Sequence, residues 1–174
     1  MVKEYLLAGF GGQGILFAGK FLAYAGLTQG KQVSWIPSYG PEMRGGTANC
    51  SVVISDDPVG SPIVAAPDIF VAMNLPSLDK FENAVKAGGT IFVDSSLISR
   101  KIGRKDVKAV YLPASRIAQD SGFPKLANMV MTGRVLKDLD EGTARAALLR
   151  CISGKHTDMI EINMKALLTG KAYN

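Results

Sequence analysis

Reactive side chains are scarce in this chain of 174 residues. It holds two cysteines, one histidine and one tryptophan, and aromatic residues make up only 7% of it. Cys50 and Cys151 are too few for a disulfide scaffold or a four-cysteine cluster site. With the single histidine, His156, they leave no metal-ligand set. No apolar run approaches the ~20 residues that a helix needs to cross a bilayer. The start, Met1 to Leu7, runs directly into strand-like sequence and lacks the apolar stretch and small-residue cleavage site of a signal peptide. No G-x-S-x-G or Walker pattern is present. These absences argue against a secreted, disulfide-stapled or membrane-spanning protein. They point to a cytoplasmic one with reduced thiols and little reactive chemistry of its own.

What the chain has is a core. Hydrophobic residues make up 47% of it, and the length suits a single domain over residues 1–174. The formal net charge is +5. Its basic residues are scattered except for Arg100, Lys101, Arg104, Lys105 and Lys108, which read as a solvent-facing loop between strands. No aromatic residues are interleaved with them to stack bases, so nucleic acid is not expected as a partner.

Apolar patterning gives an alternation of strands and helices. Lys3–Ala8 reads as a buried strand, and residues 15 to 27 carry helical spacing through Ile15, Leu16, Ala18, Leu22, Ala23 and Ala25, closed by Gly30. Gln32–Ile36, Asn49–Ser55, Asp68–Met73, Thr90–Val93 and Val107–Leu112 read as further strands, with a helix predicted over Pro76–Lys86. Beyond Pro113 helices are predicted over 114–120, 125–139, 141–151 and 157–168. The expected architecture is an α/β, Rossmann-like, mostly parallel sheet flanked by helices, with a helical C-terminal region. The Asn49–Ser55 run has no helix before it and is free to pair antiparallel.

Two segments are too rich in special residues to be plain connectors. Gly9, Gly11 and Gly14 satisfy G-x-G-x-x-G between a strand and a helix, with Gly12 and Gln13 between them. Free amides at a helix start favour an anion there. A nicotinamide reading lacks support, because the second strand ends at Pro37-Ser38 and no acid follows until Glu42. A tight turn that binds nothing, a different anion, or packing against a neighbour's cofactor pocket all remain open. The second segment is Pro37-Ser38-Tyr39-Gly40-Pro41-Glu42-Met43-Arg44-Gly45-Gly46, in which Gly and Pro set an unusual path and present one cation and one phenol. His156 is expected at an exposed helix start and Cys50 as a small core residue. No residue is assigned a catalytic role.

Gly9 to Ile15 and Pro37 to Gly46, with Val71 to Phe81, Ala127 to Met131 and the last helix through Asn163 to Leu167, closely resemble the gamma subunit of the 2-oxoacid:ferredoxin oxidoreductases. The resemblance covers essentially the whole chain. It implies a gamma-type domain in a hetero-oligomer that decarboxylates a 2-oxoacid oxidatively to acyl-CoA and carbon dioxide and reduces ferredoxin. Thiamine diphosphate, iron–sulfur clusters and coenzyme A serve the holoenzyme, with the thiamine cofactor and the clusters on other subunits. The implied partners are alpha and beta subunits, a ferredoxin-like delta subunit in some assemblies, ferredoxin and coenzyme A, with no membrane. The segments named as cofactor-facing are Gly9, Gly11, Gly12, Gln13 and Gly14; Ser38, Tyr39, Gly40, Pro41, Glu42, Met43, Arg44, Gly45 and Gly46; and Asn74 and Asn128. Their role is to complete the active site or the coenzyme A channel, or only the subunit interface. The form of the second segment is more similar to subunits acting on 2-oxoglutarate or branched-chain 2-oxoacids than to pyruvate-specific ones, and the substrates are ranked 2-oxoglutarate, branched-chain 2-oxoacids, pyruvate. A stand-alone nucleotide- or coenzyme A-binding regulatory module is the alternative.

Overall fold

The computed structural model describes residues 1–38, 47–152 and 156–173. Their strands are β1 (Val2–Phe10), β2 (Gln32–Ser38), β3 (Thr47–Ser55), β4 (Ile69–Ala72), β5 (Thr90–Asp94) and β6 (Lys108–Leu112). They form one sheet in the order β2-β3-β1-β4-β5-β6. β1, β4, β5 and β6 are mutually parallel, while β3 runs antiparallel to both of its neighbours, β1 and β2. The α/β expectation therefore holds, and so does the antiparallel option for the third strand. Parallel neighbours need a crossover of a dozen residues or more. Only residues 39–46 lie between β2 and β3, so they pair as a hairpin.

The helices are α1 (Ile15–Thr28), α2 (Leu75–Phe81), α3 (Ala114–Asp120), α4 (Ala127–Val135), α5 (Glu141–Cys151) and α6 (Thr157–Ala172). Both faces of the sheet are covered, which is why β1, β4 and β5 read as unbroken apolar runs. On one face Leu7, Val52 and Val71 pack with Phe21 and Leu22 of α1, Met129 and Met131 of α4, Leu148 of α5 and Met164 of α6. On the other, Leu6, Phe70, Ile91 and Val93 pack with Leu78 of α2, Val85 and Ile98. Each fully buried side chain such as Phe21 or Phe70 contributes about 1.5–3 kcal/mol by leaving water. Gly30 takes a left-handed φ of 75° just past α1, and its N–H reaches Leu27 O at 3.0 Å, the predicted helix stop.

Two helix predictions need correction. The helix expected over Pro76–Lys86 ends at Phe81 and gives way to a 3-10 turn over Glu82–Ala84. Glu82 turns inward there: its carboxylate accepts from Arg100 at 2.7 Å and from the Gly103 N–H at 2.8 Å. Burial by itself would raise the Glu82 carboxyl, yet the Arg100 guanidinium and the Gly103 N–H hold it below its ordinary value. The helix expected over 125–139 is a 3-10 turn at Pro124–Leu126 followed by α4, which stops at Val135. Asp140 then caps α5 by accepting from the Thr143 N–H at 2.8 Å.

The basic cluster is likewise tied down. Arg100 also meets Asp79 at 3.0 Å, Arg104 donates to Asp106 and to Val85 O at 2.5 Å, and Lys101 lies 4.1 Å over the Tyr111 ring. Much of the charge that looked free in sequence is neutralised by the fold. No helix among the described residues is long and apolar enough to cross a membrane.

α4 and α6 pack backbone to backbone. A Cβ on Gly170 would strike Val130 O, and one on Gly133 would strike Leu167 O. Neither obstacle is a side chain that can swing away. Gly170→Ala should therefore cost about 3 kcal/mol or more in urea unfolding. Gly60→Ala, where nothing lies within 4 Å, should be neutral. Equal losses would contradict the close approach.

Asp56, just past β3, joins Lys31 and the Met1 ammonium, and Lys31 first and the ammonium second pull its carboxyl down to about 2. A folded pKa below the unfolded value gives stability that is complete above the unfolded pKa, ~3.9, and fades as pH falls towards 2. Asp56→Asn should flatten that acid limb of a thermal-melt pH profile, and an unchanged limb would refute the assignment.

Candidate functional site

From β1 the chain passes through α1 to β2 on one side of β1, and from β3 it crosses to β4 on the other side. The carboxyl ends of β1 and β4 thus flank a topological switch point, the crevice where open α/β sheets bind ligands. The glycine loop lies there. Gln13 fixes it from inside: its Oε1 accepts from the Phe10 N–H at 2.6 Å and its Nε2 donates to Met73 O at 3.0 Å, just past β4. A Cβ on Gly9 would sit 2.5 Å from Gln13 Oε1 and 2.9 Å from Met73 Cβ, so loop and strand end close on each other only without one.

Gly14 is the N-cap of α1, left-handed at φ 72°, and no side chain caps the helix. Its carbonyl accepts from the Ala18 N–H at 3.0 Å and from Asn128 Nδ2 at 2.9 Å. The first N–H groups of a helix have no intrahelical partner. With no side-chain cap and no acid in the first turn, the described residues leave the positive end of α1 without a counter-charge.

Buried polar atoms beside the loop are also unmatched. Among the described residues, Asn128 Oδ1, Asn74 Nδ2 and Ser77 Oγ are buried without a hydrogen-bond partner. Asn74 spends its Oδ1 on the Ser77 N–H at 2.8 Å as the N-cap of α2, which leaves its amide donors over. Buried polar groups are normally satisfied, so each orphan calls for an explanation such as an absent ligand or water. Donors, an acceptor and a helix dipole at one crevice suit a ligand with an anionic group and an amide.

The structure therefore brings Gly9, Gly11, Gly12, Gln13, Gly14, Asn74 and Asn128 to one edge. Ser38 ends β2 opposite Asn49, and Phe10 ends β1 opposite Thr47, so Ser38 is at the same edge, about 10 Å away by two interstrand spacings. Tyr39, Gly40, Pro41, Glu42, Met43, Arg44, Gly45 and Gly46 lie outside the described residues. Sequence reading missed Met73 and Ser77; the switch-point rule, applied to the end of the fourth strand, would have pointed to both.

The remaining reactive groups lie elsewhere in role. Cys50 is fully buried in β3, its thiol 3.6 Å from Ile15 O and pushed up to about 12 by burial. Burial raises Cys151 to about 11. Neither thiol is an activated nucleophile. His156 is exposed just before α6, as expected. Among the described residues no group of three or more His, Cys, Asp or Glu could hold a metal ion.

An open sheet with an uncapped helix start at its switch point is the layout of ligand-facing α/β domains. Residues 4–173 match the family described as pyruvate ferredoxin/flavodoxin oxidoreductase, and the chain belongs to that family. It is 45% identical over 168 residues to ketoisovalerate oxidoreductase subunit VorA of Methanothermobacter thermautotrophicus, covering 94% of this chain but 35% of that protein. It is 42% identical over 140 residues to 2-oxoglutarate synthase subunit KorC of Methanocaldococcus jannaschii, covering 79% and 75%. The crystal structure of a keto/oxoacid ferredoxin oxidoreductase gamma subunit from Geobacter sulfurreducens matches with a TM-score of 0.80 at 30% identity, over 97% of this chain and 96% of that one. The chain thus spans about a third of the VorA relative and nearly all of the Geobacter gamma subunit. The resemblance to gamma subunits read from the motifs holds.

The loop geometry makes a graded prediction. Gly12 is left-handed at φ 93° with no atom of the described residues within 4 Å of an added Cβ, so Gly12→Ala should cost about 1 kcal/mol of backbone strain. Gly14→Ala adds a clash 2.5 Å from Asn128 Nδ2 and should cost about 2–4 kcal/mol by urea unfolding. Equal losses at both positions would mean that Asn128 does not lock the turn.

Proposed function

We propose that this chain is the gamma-type domain, over residues 1–174, of a cytoplasmic hetero-oligomeric 2-oxoacid:ferredoxin oxidoreductase. The complex converts a 2-oxoacid and coenzyme A to acyl-CoA and carbon dioxide and passes the electrons to ferredoxin. The observation that carries this reading is the mismatch within the chain: a crevice with unmatched buried amides stands at the switch point, while Cys50 is buried, Cys151 half-buried, and the described residues offer no metal cluster. Such a domain completes a site whose reactive groups lie on alpha and beta partners.

The residues present fit coenzyme A better than the other cofactors. The N–H groups opening α1 suit a phosphate, and the spare Asn74 amide donors and Asn128 carbonyl suit the amides of its pantetheine arm. Coenzyme A supplies the thiol that accepts the acyl group. Gly9, Gly11, Gly12, Gln13 and Gly14 would let the backbone approach it, with Asn74 and Asn128 orienting it. Ser38 and the Tyr39–Gly46 segment, with Arg44 as its cation, would border the same channel. The two cysteines do not fit an iron–sulfur cluster, so the clusters and thiamine diphosphate are assigned to the partners.

For the substrate, two readings each have support. VorA carries the ketoisovalerate name and is matched over more of this chain than KorC. That favours a branched-chain 2-oxoacid. The form of the Ser38–Gly46 segment resembles subunits acting on 2-oxoglutarate or branched-chain 2-oxoacids rather than pyruvate, and the KorC relative carries the 2-oxoglutarate name. A solved 2-oxoglutarate:ferredoxin oxidoreductase from Magnetococcus marinus also matches with a TM-score of 0.87 at 25% identity, over 98% of this chain and 30% of that one.

Native purification followed by an oxoacid panel tests the proposal. The chain should co-purify with cluster-bearing partners, and the complex should reduce ferredoxin only with coenzyme A and one class of oxoacid. Arg44→Ala should lower that rate more than tenfold without loss of assembly. A chain that migrates alone and binds a nucleotide would instead establish the regulatory-module alternative.

A further inference from the structure

At the amino edge of the sheet, opposite the glycine loop, lies a cleft of about 220 Å³ between the strand starts and the end of α4. Lys3 of β1, Lys108 of β6, Arg134 of α4 and Lys137 just beyond it line its walls, over a floor that includes Phe92 and Val110. One acid, Asp138, shares the cleft. Among the described residues none of these five side chains has an ion-pair partner within 4.0 Å, while Arg100, Arg104, Arg116 and Arg145 are all paired. Arg150 lies over the Tyr24 ring at 5.9 Å, and Lys3 over Tyr5 at 6.0 Å; Arg134 is half-buried with neither arrangement.

Cations collect at helix C-termini because the dipole is negative there. That accounts for Arg134 and Lys137 near the end of α4. It does not account for Lys3 and Lys108, which are delivered to the same cleft by two strands. From this convergence we infer that the cleft is a binding site for a small multivalent oxyanion, with phosphate or diphosphate chemistry. Arg134 offers a planar fork that meets two oxygens at once, and the three lysines add point charge around it. The volume falls below the ~300 Å³ of pockets for larger organic ligands and suits one or two phosphoryl groups. The site is separate from the crevice at the carboxyl edge and does not depend on the coenzyme A reading.

The test is amide-shift mapping by NMR on the full chain at low salt, with inorganic pyrophosphate as the probe and ATP as a second arm. Pyrophosphate should give saturable shifts at Lys3, Thr90, Lys108 and Val135, fitted separately from any at Gly12 or Asn128 of the glycine loop. Arg134→Gln should weaken binding about tenfold, and Lys108→Gln should weaken it severalfold, where Lys125→Gln, an equal charge loss away from the cleft, leaves it unchanged. ATP binding with the same shifts would assign the phosphoryl group to a nucleotide, and exclusion of ATP would assign it to the free anion. Shifts that do not saturate, or equal weakening by Arg134→Gln and Lys125→Gln, would overturn the site.

Discussion

The constraint on which the rest depends is the double burial of β1. Leu6 faces one core and Leu7 the other, and β1 pairs with β3 on one side and with β4 on the other. A strand so placed cannot slip by one residue without turning each apolar set towards the wrong partner. Its end at Phe10 is therefore fixed, and with it the position from which the glycine loop starts. The crevice inherits its precision from the core beneath it.

Missing side chains matter as much as those present. α1 settles onto β3 because a Cβ at Gly19 would hit Cys50 Sγ, and α6 crosses α4 because Gly170 and Gly133 leave room for backbone contact. Cys50 is thus a packing residue that fills the space opposite a glycine. Its burial, which explains its raised pKa, also explains why the scarcity of reactive groups in the composition carries through to the fold. Among the described residues, the crevice offers main-chain dipoles and a few amide side chains.

Much of this was legible in the sequence. The apolar runs of β1, β4 and β5 named a sheet covered on both faces, and the spacing from Ile15 to Ala25 named α1 to within a residue or two. The break in the helix after Phe81 was not legible, because it depends on Glu82 turning in to meet Arg100, which lies in a later loop. For the same reason the charge cluster at Arg100–Lys108 looked free. Within the site, the glycine spacing identified the turn, but the Asn128 contact to Gly14 O spans 114 residues and leaves no mark in local pattern. Family resemblance named Asn128; only the fold shows what it holds. Nor does periodicity gather Lys3, Lys108, Arg134 and Lys137, since they come from separate strands and a helix end.

The β2–β3 ladder has a wider consequence. Its rungs run without interruption from Gln32–Ser55 to Ser38–Asn49, and the second strand of the hairpin is itself locked to β1 along its whole length. The frame on both sides of residues 39–46 is set by strand pairing. Ser38 and Asn49, the last paired rung of the hairpin, therefore form a rigid anchor one interstrand spacing, about 5 Å, across, set by the sheet and not by the segment it bears.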